Sequence, residues 1–251
     1  MTNLVTISVI LSFLGVANCL QFPRNPDQMR WATKTCLREF RDAPPSLIKE
    51  WNEWDLPSSN LTYCFVKCNW IYAGIYNEKT NEFNVDAIRT QFTSQGLLPP
   101  KGLENLQRRP AKTSCKDIYR MSIGIIKKYK SDFIKAFYGN SGETAKWYND
   151  NRGTVKGKYQ KASEFCKSKE KECQLHCRFY YYRLVDEDYQ IFNRKFKIYG
   201  ISDAQLRQCR EKASQAKGCR VAKTLKQCLE KIDSEKVKRA LKSLDEISAT
   251  Y

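Results

Sequence analysis

Histidine is almost missing from this chain: there is one, His176. A Ser-His-Asp triad or a Cys-His dyad would have to use it. It lies between Cys173 and Cys177, so it reads as a helix-surface histidine rather than a catalytic base. No Gly-x-Ser-x-Gly, His-Glu-x-x-His, Walker loop or dinucleotide glycine motif occurs. Carboxylate pairs such as Asp186-Glu187 and Asp245-Glu246 are of a kind common on solvated helix ends. Low-complexity segments and heptad arrays are also missing, and beyond residue 20 no segment is apolar enough to span a bilayer. These absences exclude most catalytic chemistry. The chain is expected to be no enzyme, to need no cofactor or metal, and to insert in no membrane.

Cysteine, by contrast, is plentiful. Of the 11 cysteines, ten lie beyond residue 20 and form two copies of one ladder. The first is Cys36, then 27 residues, then Cys64-x3-Cys68, then 46 residues to Cys115. The second is Cys166, Cys173-x3-Cys177, 31 residues to Cys209, nine to Cys219 and eight to Cys228. An even count at ordered spacings reads as a disulfide framework. Positions four apart on a helix share one face, so a Cys-x3-Cys pair is poorly placed to bond to itself. It can instead staple its helix to two neighbours. Zinc at Cys173, Cys177, Cys209 and Cys219 fits by ligand type, but a secretory context favours disulfides.

That context comes from the start of the chain. Leu4 to Val16 is apolar apart from small residues, and Ala17-Asn18-Cys19 resembles a small-residue cleavage site. Residues 1–20 read as a secretory signal, which would carry Cys19 away and leave a soluble extracellular protein. Asn60-Leu61-Thr62 is the one N-glycosylation sequon. The net charge is +17. Such a charge attracts anions at long range, and the basic residues are spread along the chain rather than gathered in a block.

Helix signals run from Pro26-Asp27 to about Arg41, with Trp31, Cys36, Leu37 and Phe40 on an inner face. They continue from Leu47 to Trp54 with Ser46 as N-cap, then through an aromatic-rich helix holding Cys64 and Cys68. Asn84 to Gln95 is amphipathic. A long helix is predicted from Ser114 to Phe137, interrupted by Gly139 to Gly142, with a short one from Glu143 to Asn149. Asn151 to Gly157 reads as a domain junction. Beyond it, helices are predicted near Lys158–Lys171, Glu172–Leu184, Asp203–Gln215, Val221–Ile232 and Ser234–Ser248. Asp186 to Tyr199 is ambiguous. The fold class is therefore all-α: two disulfide-stapled helical domains, 21–157 and a smaller 158–251. Disulfides can carry stability that a solid core would otherwise supply, and so hold a cavity open. Binding, not catalysis, is the expected role.

The second ladder, with its Cys-x3-Cys and closing Cys-x8-Cys, resembles the insect odorant-binding proteins. That resemblance implies the pairs Cys36–Cys68, Cys64–Cys115, Cys166–Cys177, Cys173–Cys219 and Cys209–Cys228. Trp51-Asn52-Glu53-Trp54, Cys64-Phe65-Val66-Lys67-Cys68 and Ser163-Glu164-Phe165-Cys166 resemble the long-form D-seven salivary proteins of blood-feeding flies. The stretch Phe179 to Asp188 is most similar to the sand-fly members.

What the resemblance implies is a monomeric protein of saliva that scavenges host eicosanoids, cysteinyl leukotrienes and thromboxane, in its first domain. Platelet aggregation, vasoconstriction and inflammation would be countered. An apolar acid needs a hydrocarbon tunnel, worth about 0.8 kcal/mol per buried methylene, and a charge-assisted donor for its carboxylate. By motif, Trp54 matches a pocket tryptophan of the family, Phe137 a pocket-lining phenylalanine, and Lys158 a lysine that meets the carboxylate. Trp31 is added as a candidate pocket residue. Phe65 stands where some members carry a thromboxane-holding tyrosine. Biogenic amines are not expected as ligands: the stretch from Cys177 to Cys209 is short, and Asp245 and Glu246, the nearest acidic candidates, read as helix surface. Nucleic acid is not an expected partner. The alternative is an anticoagulant that binds polyanions through surface charge.

Overall fold

A computed structural model of the chain describes residues 22–107, 113–191 and 197–250. The expected signal segment lies outside the described residues. The described residues are mostly helical: α1 (Pro26–Glu39), α2 (Pro45–Asn52), α3 (Asn60–Tyr72), α4 (Val85–Ser94), α5 (Cys115–Lys128), α6 (Lys130–Tyr138), α7 (Ser141–Asp150), α8 (Ala162–Phe165), α9 (Gln174–Tyr181), α10 (Asp203–Ser214) and α11 (Arg220–Ser248). The fold is the expected all-α one. A two-residue hairpin, β1 (Tyr76–Asn77) with β2 (Glu82–Phe83), pairs antiparallel with Tyr76 opposite Phe83; nothing in the periodicity announces it.

Helix starts are set locally. Asn25 accepts from the Gln28 amide while the Gln28 side chain returns to Asn25, a capping box with Pro26 at the first helical position. Asn140 with Glu143 and Ser202 with Gln205 repeat the device at α7 and α10. Ser46 is not a cap; α2 begins at Pro45, whose missing N–H costs nothing there.

Four predicted helices change. The predicted helix 114–137 is two, because Tyr129 leaves helical geometry (φ −116°, ψ 30°) between α5 and α6. Its hydroxyl accepts the Lys101 amide at 3.3 Å, so a tertiary contact holds the break. The predicted helix 158–171 shrinks to α8 and one 3₁₀ turn, Cys166–Ser168. There Tyr159 takes φ +67°, and the Lys156 ammonium donates to the carbonyls of Gly157 (3.0 Å) and Gln160 (2.9 Å). The last two predicted helices meet in α11, kinked at Asp233 (φ −159°, ψ 96°).

Two hydrophobic cores result. One gathers residues between Met29 and Phe137, including Phe65, Trp70, Ile118 and Phe133. The other gathers residues between Ala162 and Leu244, including Phe179, Leu206, Leu225 and Leu229. Five disulfides staple them. Cys36–Cys68 and Cys64–Cys115 join α3 to α1 and α5, one from each side of the Cys-x3-Cys turn. Cys166–Cys177, Cys173–Cys219 and Cys209–Cys228 tie α9, α10 and α11 together. Chain-entropy reasoning credits loops of this length with about 3–4 kcal/mol each.

The cores are joined through α1. Arg38 donates to the carbonyls of Tyr182 and Arg183, the latter at 2.6 Å, and Arg24 pairs with Glu187. Cationic guanidinium at the carbonyl end of α9 complements the helix dipole.

Candidate functional site

The first core is not solid. It leaves a cavity of about 630 Å³, partly open to the surface, between α1, α2, α3, α6 and α7. Its aromatic walls include Trp51, Trp54, Phe65 and Phe137. Trp51 and Phe65 stack at 4.1 Å with their planes 6° apart, and Phe40 meets both edge-on. The Trp51 indole N–H donates to the buried Thr62 hydroxyl at 3.0 Å, which fixes the ring's rotation. Phe137 lies parallel to Phe133 at 6.0 Å.

Trp54 reaches the cavity through an unusual backbone. After α2 the chain closes a Schellman motif: the Trp54 amide donates to Trp51 and the Asp55 amide to Glu50. The motif needs a left-handed residue, and glycine supplies it after α3 and α4 (Gly74, φ +79°; Gly96, φ +66°). Here Trp54 takes it, at φ +57°. A bulky residue in that region is strained. The return is an indole carried off the helix end and set edge-on to Tyr138 at 5.5 Å.

The polar edge of the cavity comes from α1 and α7. Arg30, Thr33 and Lys34 rise from one face of α1; Thr144 and Tyr148 face them from α7. The Tyr138 and Thr33 hydroxyls lie 2.7 Å apart. Burial pushes the Tyr138 hydroxyl up, against the bond from Thr33. The Tyr148 hydroxyl donates to Asp27 at 3.3 Å and also bonds Arg30; burial, then the Asp27 carboxylate, drives its pKa well up. Lys34 is held below its ordinary value by partial burial and by the cations Arg30 and Arg183.

Arg30, Tyr138, Thr144 and Tyr148 also line a second, more polar groove of about 1060 Å³. Three further cations border it: Arg152, Lys156 and Lys158, with Glu164 as the opposing charge. Lys156 is buried with its amine on two carbonyls, and burial pulls its pKa down to about 8, with Asp27 opposing and Arg183 and Arg30 assisting.

Trp54, Phe65 and Phe137 thus meet in one cavity. Lys158 does not line it. It sits in the neighbouring groove, exposed, with its ammonium 5.0 Å from the Tyr159 ring. The cations on the cavity itself are Arg30 and Lys34. Trp31 also departs from expectation: it does not line the cavity and is buried in the first core at its seam with the second. Its ring stacks on Tyr180 at 5.6 Å and meets Tyr72 edge-on. Arg30, Lys34 and Thr33 were within reach of sequence reasoning, since three- and four-residue spacing places them on one face of α1. Tyr148 carried no such signal.

Elsewhere the structure offers less chemistry. His176 is half-buried beside Tyr189 (4.4 Å), burial lowers its pKa to about 4, and it borders neither cavity. Asp245 is not simple helix surface: it accepts the Ser163 amide (2.9 Å) and hydroxyl (2.6 Å) and the Tyr182 hydroxyl (2.9 Å), tying α11 to α8. Glu246 pairs with Lys161 at 2.7 Å. Among the described residues no group of three or more His, Cys, Asp or Glu could hold a metal ion, and no helix is long and apolar enough to cross a membrane.

Comparison with known proteins places this geometry. Residues 21–106 match the PBP/GOBP family. The whole chain is 38% identical to the whole of a long form salivary protein of Phlebotomus duboscqi, and 37% identical to one of Phlebotomus papatasi over the full length of both chains. The fold is similar to the solved native D7 protein from Phlebotomus duboscqi, with a TM-score of 0.78 at 38% identity, covering 92% of this chain and 100% of that one. It is also similar to AeD7 in its complex with leukotriene E4, with a TM-score of 0.71 over 91% of each chain; at 18% identity that likeness concerns the fold alone.

Proposed function

We infer the function from kinship and geometry together: the chain belongs to the long-form D7 salivary proteins. We propose that it is a secreted scavenger that sequesters host eicosanoids, cysteinyl leukotrienes and thromboxane, one per molecule and without turnover. The observation that carries this reading is the aromatic cavity of about 630 Å³ with Arg30 and Lys34 at its edge. Its size lies within the range of small-molecule sites. Its walls suit a hydrocarbon chain, and the adjoining cations suit a carboxylate. Ten buried methylenes would contribute roughly 8 kcal/mol before ordering costs. Two structural neighbours are in keeping with it: AeD7 is seen with leukotriene E4, and AnSt-D7L1 with U46619, a thromboxane analogue.

In this reading residues 21–157 form the eicosanoid-binding domain and 158–251 a second, smaller one, with Trp54, Phe65 and Phe137 against the acyl chain. The carboxylate meets Arg30 at the edge shared by both spaces, and Lys158 attracts it from the groove. Trp31 is left out of the binding set. Asp245 and Glu246 are engaged by Ser163, Tyr182 and Lys161, which speaks against an amine site there.

Calorimetric titration of the refolded mature protein with a cysteinyl leukotriene tests the proposal, beside Trp54→Ala, Arg30→Ala and Lys158→Ala. Tight one-to-one binding is expected. It should weaken most in Trp54→Ala, and its affinity should change little between low and high salt. No binding, or an affinity that collapses with salt as exposed charge pairs do, overturns it in favour of a polyanion binder. Consumption of ligand beyond one equivalent overturns the non-enzymatic reading.

A further inference from the structure

Helix α7 differs from its neighbours in what it buries. None of its residues, Ser141 to Asp150, is buried. Adjacent α6 buries Phe133, Ala136 and Phe137. Yet α7 is well formed from local interactions. The capping box of Asn140 and Glu143 closes its first turn, and Lys146 pairs with Asp150 at 2.6 Å across its last. It is a helix that keeps its own shape while contributing little to the core.

Glycine in a left-handed conformation flanks it on both sides. Gly139, between α6 and α7, has φ +67° and ψ −178°. Essentially only glycine occupies that region, and a Cβ there would meet the Thr144 hydroxyl at 3.1 Å. Beyond the other end Gly153 has φ +87°. A residue free of a Cβ penalty at each end lets the chain change direction at low cost.

Its position gives the helix something to open. Thr144 and Tyr148 close one side of the apolar cavity and also border the polar groove. A contact that crosses from α7 to α1 is the Tyr148 hydroxyl, bonded to Asp27 and Arg30. A further tie, from the Thr144 hydroxyl to the Tyr138 carbonyl (2.7 Å), spans the Gly139 turn and must also yield when the helix rotates about it.

We propose that α7 is the door of the apolar cavity: it swings on Gly139 and Gly153, and Tyr148 is its latch. A wall that moves can widen the mouth of a partly open cavity for entry and narrow it over a held ligand, and lids are drawn from the least stable elements of a fold. This inference rests on the reading that the cavity holds an acyl chain.

The experiment uses the full mature protein, with cis-parinaric acid as a fluorescent fatty-acid probe. In ligand-free protein, amide hydrogen exchange in α7 is expected to run at least about ten-fold faster than in α6, and saturating probe is expected to slow α7 selectively. Tyr148→Phe keeps the ring and removes the latch. It should speed probe release by roughly three- to ten-fold, the effect of one net hydrogen bond, with a smaller change in equilibrium affinity because association speeds as well. Exchange of α7 in step with α6, or an unchanged release rate in Tyr148→Phe, overturns the proposal. Failure of the probe to bind while α7 still exchanges ahead of α6 is a different result: the acyl-cavity reading fails and the hinge stands.

Discussion

The indole N–H of Trp31 donates to the backbone carbonyl of Tyr180 at 2.7 Å, and the two rings stack with planes 11° apart. This pair ties α1 of the first core to the end of α9 in the second. Because Trp31 is fully buried yet does not line the cavity, stability and ligand affinity separate at this residue. Trp31→Phe keeps an aromatic body and loses the hydrogen bond. The Tyr180 carbonyl is not orphaned, since the Arg183 amide also reaches it at 2.8 Å. The expected cost is therefore about 0.5–1.5 kcal/mol, read as a lower urea midpoint, while leukotriene affinity by calorimetry stays within error of wild type.

Trp54 makes the opposite prediction. Its ring serves the cavity and its backbone resists the residue that carries it. Both Trp54→Ala and Trp54→Gly remove the indole, so both should weaken ligand binding to a similar degree. They differ in the left-handed backbone, which costs an L-residue about 1–2 kcal/mol and glycine little. Trp54→Gly is expected to unfold at a higher urea concentration than Trp54→Ala, despite glycine's greater unfolded-state entropy. Equal midpoints would show that the Schellman geometry is not strained at this position.

These two tryptophans show where sequence reasoning reaches and where it stops. Both lie in helical segments with aromatic neighbours, and nothing in the spacing says which core each faces. A motif marks Trp54, whereas no local signal separates a residue at the seam between two cores, as Trp31 is, from one on a cavity wall. Amphipathic periodicity, turn residues and cysteine spacing are local signals, and they suffice for α1, α3, α4, α10 and the all-α class. The break at Tyr129 is not local: Lys127-Lys128-Tyr129-Lys130 contains no helix breaker, and the halt depends on the reach of a hydroxyl to Lys101. Likewise Arg30 and Tyr148 are 118 positions apart in sequence, and only the fold brings them together at the edge of one cavity.

Phe65 lines the cavity with its face against Trp51 and carries no hydrogen-bonding group. Phe65→Tyr would add a hydroxyl at the ring's far tip. If that tip meets a ligand oxygen, binding of the thromboxane analogue U46619 should tighten by about 0.5–1.5 kcal/mol, with leukotriene binding little changed. A hydroxyl left without a partner would instead destabilise the protein by about 1–3 kcal/mol, visible in thermal unfolding. Tighter binding without loss of stability is the expected outcome in calorimetry; no gain in affinity refutes the role assigned to this position.

Asp186 sets a pH dependence of the fold itself. It is 1% exposed, and its carboxylate accepts the Gln190 amide at 2.7 Å. Burial, with Glu187 and Asp188 nearby, raises its pKa from 3.8 to about 8 against the backbone bonds from Gln190 and Asp188. The folded protein thus holds a proton that the unfolded chain releases above about pH 4. The sign follows from linkage: where the folded state binds more protons, stability falls as pH rises. The contribution of Asp186 is fully present below the unfolded pKa and is lost progressively up to about pH 8. Asp186→Asn mimics the protonated form and retains an acceptor for Gln190. At pH 7.5 it should stabilise the protein by at least about 1.4 kcal/mol, the equivalent of one pKa unit, and the gain should shrink toward pH 4. Urea unfolding of both proteins across that range measures it. A gain that is constant with pH would mean that Asp186 is ionised in the fold, held by its neighbours rather than by a proton.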